Sequence, residues 1–420
     1  MTSRQRLEKA LNHEKPDRIP LDLDGSLTTG MAASSVYKLR AALGLSNSGD
    51  SVKVTEPYQV LGEINEDLRE ALGVDCIALI SPKNFFGFEN TDWKPWKLFD
   101  GTPVLVPRAF NTEPDKNGNI LMYPQGDKNV PPCACMPKDG FYFDTIIRQE
   151  PIEECKLMVE DHIQEYKPIT EEELRYYEEQ ADYLYRNTKY AIVGTFGGTS
   201  FGDIALVPGM SLKHPKGIRD IEEWYISLVK RTDFVYKIFD RQCEIALSNL
   251  EMIREAVQNK ISVIFVAGAD FGAQEGLFIS KELYRKLFKP FHTIVNNWIH
   301  QNTDWRTFIH SCGCVEPLIE DFIEAGFDIL NPVQISASKL MDPKHLKEKY
   351  GERIVFWGGG INTQKTLPFG TPEEIDREVK QLMSIFSEGG GFIFAAVHNI
   401  QASIPVENIV ALFEAVKKYR

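Results

Sequence analysis

Short apolar or β-branched runs alternate along the chain with longer stretches in which apolar residues recur every three or four positions. We count eight such runs, at residues 18–25, 75–81, 190–198, 261–270, 305–313, 327–334, 353–360 and 391–398. Strands that alternate with helices form βα units around a parallel sheet, and eight units close a (β/α)8 barrel. The pattern therefore predicts an α/β fold of the TIM-barrel type.

The connecting stretches support this prediction, because several of them have helical spacing. Helices are expected within residues 51–73, 281–301, 314–326 and 371–389. At the start of the chain, Thr2 followed by Gln5 forms a capping-box pattern. An N-terminal helical extension should therefore precede the barrel.

The pattern changes between the second and third runs. Asp100-Gly101 and Asn117-Gly118 separate stretches of alternating polarity, which is typical of tight β turns. We predict a β-hairpin insertion at about 96–145, placed over the barrel mouth or against a neighbouring subunit. The chain as a whole, 1–420, is predicted to be one barrel domain carrying this insertion.

Composition narrows the functional classes. The net charge of −13 argues against nucleic acid or an anionic membrane surface as the main partner. No stretch is apolar enough for a membrane helix, and the first residues lack the apolar core of a signal peptide. We therefore expect a cytoplasmic protein, in which the seven cysteines form no disulfide framework and any cysteine with a special role is catalytic or metal-bound.

Polar side chains follow many of the predicted strands. In a TIM barrel the chemistry sits at the carboxyl ends of the strands, so these residues should meet at one mouth. They are Asp22, Asp24, Phe196, Asp270, His310, Cys312, Asn331, Gln334, the glycines at 358–360, and His398.

His310 and Cys312 form the sharpest chemical pattern in this set. Residues two apart on a strand point to the same face, so imidazole and thiolate can reach one metal ion together. Nitrogen with sulfur is a zinc-type donor set, and a catalytic zinc usually has three protein ligands. We predict His398 as the third ligand, with Cys314, Asp270 and Gln334 as alternatives.

Several features have a plainer interpretation. Cys314 lies beyond Gly313, where the chain turns toward a helix, and is expected to be structural. The Cys-x-Cys spacing also differs from the Cys-x-x-Cys of thioredoxin-like redox pairs. Cys133 and Cys135 lie in a proline-rich loop without a nearby histidine, and we interpret them as packing residues.

Other strand-end residues leave two interpretations open. Asp270 would act as a general acid or base, or would hydrogen bond a ligand in the pocket. Asp22 would face the pocket, or only cap a turn. The three glycines at 358–360 lack the Lys-Ser/Thr of a P-loop, which favours close approach of a large ligand or a tight strand exit.

Four segments carry a resemblance to a known family: "SRQRLEKALNHEKPDRIPLDLDG", "HSCGCVEPLIEDFIEAGFDILNPVQ", "FWGGGINTQKTLPFGTPEEIDREV" and "GFIFAAVHNIQASIPVENIVALFEA". They resemble the uroporphyrinogen decarboxylase superfamily, and within it the cobalamin-dependent methyltransferase branch. The arginine-rich motif of the decarboxylases is missing from "LDLDGSLTTGMAASSVYKLRAAL". His310 and Cys312 match the zinc ligands of the methyltransferases, while His398 falls at about the place of their later cysteine.

The resemblance implies a methyltransferase component of a corrinoid O-demethylase system. Such an enzyme moves a methyl group from a methoxylated, often aromatic, compound to the Co(I) form of a separate corrinoid protein, which would dock transiently. His310 and Asp270 would then be the catalytic residues, and zinc the resident metal. The predicted substrate-binding residues are Asp22, Phe196, Phe271, Asn331, Gln334, Trp357 and Gly359.

Three alternatives stay open at this stage. The first is a methylcorrinoid:thiol methyltransferase, and the second is a tetrapyrrole decarboxylase. The third is a binding protein without catalysis, which would need no open metal site. The sequence does not decide the methyl donor, the direction of transfer, or whether the chain forms a homodimer.

Overall fold

The computed structural model describes residues 1–47, 50–111 and 113–420. Its centre is a sheet of seven strands, all paired parallel to their neighbours. In chain order the strands are Cys76–Leu79, Ala191–Gly194, Val263–Ala267, Arg306–His310, Ile329–Asn331, Val355–Trp357 and Phe392–Ile393. Each lies inside one of the predicted runs, and the α/β barrel prediction is confirmed.

The first predicted run does not form an extended strand. Only Leu21 bridges the sheet, pairing parallel with Phe394. The Asp22 N–H donates to the Phe394 carbonyl at 2.8 Å, and the Asp75 N–H donates to the Leu21 carbonyl at 2.8 Å. Because Pro20 lacks an N–H, this segment can pair only briefly, but it links the two edges of the sheet and closes the barrel.

Helices surround the sheet, and Ser3–Leu11 is the predicted N-terminal extension with its capping box formed. Leu7, Ala10 and Leu11 of this helix pack with the apolar interior of the barrel. The other helices are Ala33–Ala42, Glu66–Leu72, Val159–His162, Glu171–Asn187, Ile221–Lys230, Thr232–Val257, Lys281–Leu287, Lys289–Asn302, Glu316–Glu324, Pro343–Tyr350, Thr366–Phe369, Pro372–Phe386 and Val406–Tyr419.

The prediction of a helix throughout 51–73 is wrong for the first half of that segment. Val52–Glu56 is a strand, Leu61–Gly62 pairs with it, and only Glu66–Leu72 is helical. In Val52–Glu56 buried and half-buried positions alternate, which is the period of a strand with one face in the core. The helical spacing counted across the whole segment hid this shorter period.

The predicted β-hairpin is present, since Lys94–Lys97 pairs antiparallel with Pro103–Val106. Val52–Glu56 extends this hairpin by pairing parallel with Pro103–Val106. A second small sheet follows, built from Ile120–Met122, Ala134–Met136 and Asp144–Thr145. Cys133 is buried and Cys135 half-buried in or beside this sheet. Among the residues described, no helix is long and apolar enough to cross a membrane.

Candidate metal centre

Two of the predicted ligands leave the same strand. His310 is the last residue of Arg306–His310 and Cys312 follows two positions later. Their side chains meet, with His310 Nε2 3.5 Å from Cys312 Sγ. His310 is buried and Cys312 is half-buried, so the pair lies where the strand interior gives way to the mouth.

His398 completes the group from the other side of the mouth. It lies five residues after Ile393, the end of the last strand. Its imidazole ring centre is 5.4 Å from that of His310, and the two planes are inclined by 70°. One ligand atom from each of His310, Cys312 and His398 falls within 4.8 Å of the other two. These three residues are called the metal group below.

The group fits a tetrahedral zinc. Zinc–sulfur and zinc–nitrogen bonds of roughly 2.3 and 2.05 Å place sulfur and nitrogen about 3.5 Å apart in a tetrahedral site, which is the separation of Cys312 Sγ and His310 Nε2. Burial lowers the pKa of His310 and of His398 to about 4, so both imidazoles are neutral and able to ligate. Burial also raises the pKa of the Cys312 thiol, and a bound cation would offset that cost of ionisation.

Asn331 fixes which nitrogen of His310 faces the group. The Asn331 amide N–H donates to the Trp357 carbonyl at 2.8 Å, and a carbonyl can only accept. Asn331 Oδ1 therefore faces His310 Nδ1 at 2.6 Å and accepts its proton. His310 is held in the tautomer whose Nε2 lone pair points toward Cys312, an arrangement common around metal-binding histidines.

Replacement of Asn331 by alanine should lower zinc affinity about 10- to 100-fold, because the Nδ1 proton would lose its acceptor. Asn331→Asp keeps an acceptor for that proton and should lose less. Competition with a fluorescent zinc chelator measures both variants. Equal affinities for wild type and Asn331→Ala would show that Asn331 does not position His310.

The turn after Cys312 is tightly constrained. Gly313 has φ of 84°, and a Cβ there would lie 2.2 Å from the Gly272 carbonyl oxygen, so no other residue fits. Its N–H donates to Gln334 Oε1 at 2.7 Å. Cys314 is fully buried in the core. It is not one of the three residues that meet as possible metal ligands.

Asp270 lies directly against the metal group. Its Oδ1 accepts the Cys312 N–H at 2.7 Å. Burial raises the pKa of Asp270, while the backbone of Cys312 and the ring of His398 act in the opposite direction. The carboxylate is therefore within reach of a molecule bound at the metal group, and its predicted catalytic role stays a prediction.

Three other predicted residues hold the barrel mouth in place. Asp22 accepts the indole N–H of Trp357 at 2.7 Å and the N–H of Gly25 at 2.7 Å. The Trp357 ring packs edge-on against Phe308 inside the barrel. At Gly359, where φ is 76°, a Cβ would come within 2.9 Å of Val333. Substrate contact by these residues is still a prediction.

The two predicted aromatic residues pack among other rings. Phe196 contacts Tyr177 and Trp305, with ring centres 5.3 and 5.9 Å away. Phe271 lies edge-on to Tyr284 and Phe288, both 5.0 Å away. Each ring is thus engaged between the sheet and the helices, and the structure does not bring either into the metal group.

Two further residues near Asp270, Asp203 and Tyr225, were not predicted from the sequence. Asp203 Oδ2 lies over Gly268, where a Cβ would approach it to 2.8 Å, and burial together with the charge of Asp270 raises its pKa to about 7. The buried Tyr225 hydroxyl has no hydrogen-bond partner within the described ranges, and burial and Asp270 raise its pKa to about 12. Both lie well beyond the end of the preceding strand, Ala191–Gly194, so they are not among the residues that directly follow a predicted strand.

Comparison with protein-family models matches residues 161–419 to uroporphyrinogen decarboxylase (URO-D). The chain belongs to the uroporphyrinogen decarboxylase family. The matched region holds all three residues of the metal group and leaves out the insertion. The family predicted from the sequence is therefore confirmed.

Individual relatives match over shorter stretches. The uroporphyrinogen decarboxylase of Pseudoalteromonas atlantica is 30% identical over 79 residues, which is 19% of this chain and 21% of that protein. The methylcobamide:CoM methyltransferase MtaA of Methanosarcina barkeri is 26% identical over 203 residues, which is 48% of this chain and 53% of that protein. The chain thus matches about a fifth of the first relative and about half of the second.

A solved structure extends the likeness of fold to the whole chain. A methyltransferase from Methanosarcina mazei aligns over 100% of this chain and 99% of its own, with a TM-score of 0.54 and 18% identity. At this level of identity the match shows a shared fold.

Proposed function

We propose that this protein is a corrinoid-dependent methyltransferase that transfers a methyl group from a methoxylated, aromatic substrate to the Co(I) centre of a separate corrinoid protein. In this proposal His310, Cys312 and His398 bind a zinc ion. One observation carries it: these three side chains meet at the barrel mouth in a zinc-compatible donor set. The relationship to MtaA supports the corrinoid part.

The proposed reaction breaks the C–O bond of the methyl ether. The methyl group passes to cobalt, which supplies the electron pair of the new bond, while the C–O pair stays on oxygen and takes up a proton. A zinc ion in the site would supply Lewis-acid polarisation of that oxygen. Asn331 keeps the His310 ring in register with Cys312, and Asp270 stands beside the group to orient the donor or to supply the proton.

The proposed partner would dock transiently over the strand ends, where the metal group lies. The glycines at 358 and 359 follow the strand Val355–Trp357 directly and both have positive φ. A Cβ would lie 3.3 Å from the Ala396 carbonyl oxygen at Gly358 and 2.9 Å from Val333 at Gly359, so these glycines permit a tight strand exit. A homodimer stays an additional proposal.

A second candidate is transfer from a methylated corrinoid to a thiol. It is favoured by the likeness to MtaA, a methylcobamide:CoM methyltransferase. The donor set favours the first candidate. A zinc ion bound by one thiolate and two neutral imidazoles has a more positive net charge than one bound by two thiolates and one imidazole. Greater positive charge suits withdrawal of electron density from an ether oxygen.

A panel of methyl donors tests the proposal. The zinc-loaded protein is mixed with a reduced corrinoid protein and with methoxyaromatics, methylamines or methanol in turn. The absorbance change monitors the conversion of Co(I) to methyl-Co(III). We expect this conversion with methoxyaromatics only. Methyl loss from methylcobalamin to a thiol, with no reaction in the donor panel, would instead establish the second candidate.

A further inference from the structure

A cavity of about 500 Å³ lies at the rim of the barrel mouth. It opens between residues 141–144, at the end of the insertion, and residues 401–403, which follow the last strand. Its lining residues include Tyr58, Phe141 and Tyr142, together with Phe143, whose ring is buried against Phe86 and Phe110. Its volume is in the range of sites for small molecules, roughly 300–1,000 Å³.

A short path of contacts joins the cavity to the metal group. Its wall includes Gln59, whose Oε1 accepts an amide N–H of Asn399 at 2.8 Å, and Asn399 directly follows His398. Asn399 is itself fixed, because its Oδ1 accepts the Gly30 N–H at 2.6 Å. An extended chain spans at most roughly 3.6 Å per residue, so the Cα atoms of His398 and Gln401 are within about 11 Å of each other.

The charge of the cavity restricts what it can hold. Among the described residues that line it, Asp144 is the acidic one and none is basic. The Phe143 N–H donates to the Tyr58 carbonyl at 2.9 Å, which holds the next residue, Asp144, beside Tyr58. Burial raises the pKa of the Tyr58 hydroxyl, and the carboxylates of Glu56, Asp144 and Asp203 raise it further. An anionic ligand would meet a like charge here, whereas a phenolic O–H would find an acceptor.

We propose that this cavity seats the ring of an uncharged, hydroxylated aromatic methyl ether. The ring packs against the aromatic side chains, and its hydroxyl donates to Asp144. The inference rests on the proposed function and narrows its substrate class, since it disfavours methoxybenzoates. Most of the cavity wall comes from residues before 161, outside the family match, so this selectivity belongs to this chain.

Direct binding tests the inference without any methyl transfer. Isothermal titration calorimetry on the whole chain compares 2-methoxyphenol with 3-methoxybenzoate. We expect 2-methoxyphenol to bind at least about 10-fold more tightly, because the carboxylate of the second ligand faces Asp144. Asp144→Asn should abolish most of this preference, whereas Asp139→Asn, the same exchange in an exposed position nearby, should leave it intact.

The aromatic wall is tested with a second pair of variants. Tyr142 is 53% exposed, so Tyr142→Ala should fold normally and weaken 2-methoxyphenol binding about 10-fold. Tyr183→Ala is the matched control, since Tyr183 is 59% exposed on the helix Glu171–Asn187 and does not line the cavity.

The results separate this inference from the proposed function. Absence of 2-methoxyphenol binding, equal binding of the two ligands, or indifference to Tyr142→Ala and Asp144→Asn would overturn the cavity assignment, even if other donors are demethylated. Binding with the expected selectivity, in a protein that demethylates no donor, would support the cavity assignment and contradict the proposed function.

Discussion

Replacement of His310 by alanine is expected to lower zinc affinity about 100- to 1,000-fold and to abolish methyl transfer. Structural zinc sites are worth roughly 10–16 kcal/mol in total, so each ligand contributes about 3–4 kcal/mol. Nε2 of this residue lies 3.5 Å from Cys312 Sγ, and no other described residue joins the group to replace it. Metal content after dialysis and methyl-Co(III) formation measure the two effects.

The same motif provides the control. Cys312→Ser should lose zinc as His310→Ala does, because a hydroxyl is a poorer zinc ligand than a thiolate. Cys314→Ala should keep its zinc, since the Cys314 side chain is buried in the core away from the group. Loss of zinc in Cys314→Ala with retention in Cys312→Ser would reverse the assignment.

Removal of the Asp75 carboxylate should lower the free energy of unfolding by roughly 3–5 kcal/mol, the cost of leaving buried charges unpaired. Asp75 is completely buried and accepts from Arg6 Nη1 at 2.7 Å, Arg18 Nη1 at 2.7 Å and the Leu21 N–H at 3.0 Å. Asp75→Ala would thus leave Arg18 without its carboxylate partner and Arg6 with Asp17 alone, and it would loosen the segment that closes the barrel. Denaturant titration measures the loss.

Asp17 gives a contrast within the same cluster. It pairs with Arg6 at 2.7 Å, but its side chain is 40% exposed, so Asp17→Ala should cost no more than about 1 kcal/mol. Both variants should retain their zinc. Asp75 directly precedes the strand Cys76–Leu79, so the cluster lies at the amino-terminal ends of the strands, opposite the metal group. Similar losses of stability in the two variants would mean that burial of Asp75 is not what makes it important.

Much of the fold could be predicted from periodicity. Every barrel strand lies inside a predicted run, and Thr371-Pro372 begins a helix as its residues suggest, with a complete capping box. The failure at 51–73 has a specific cause. Val52–Glu56 pairs with Leu61–Gly62 and also with Pro103–Val106, where the partner of Val52 is Val104, 52 residues later. A local pattern contains no information about that distant partner.

The candidate site was predictable to a different extent for different residues. His310 ends its strand and Cys312 follows two residues later, and this local spacing favours a common direction for the two side chains. Asp203 and Tyr225 belong to long loops and an added helix, whose paths depend on packing against the barrel. Their proximity to Asp270 is a result of that packing, and no local signal marks it.

The sequence by itself therefore determined the alternation of strands and helices and the proximity of His310 and Cys312, because both follow from periods of two and about four residues. Tertiary structure alone decided three further features. It closed the barrel through Leu21, since that bridge depends on Phe394 and Asp75. It brought His398 to the pair from 86 residues away, and it set the insertion against the last loop to enclose a cavity. Each joins residues far apart in the chain, whose meeting depends on the packing of the whole barrel.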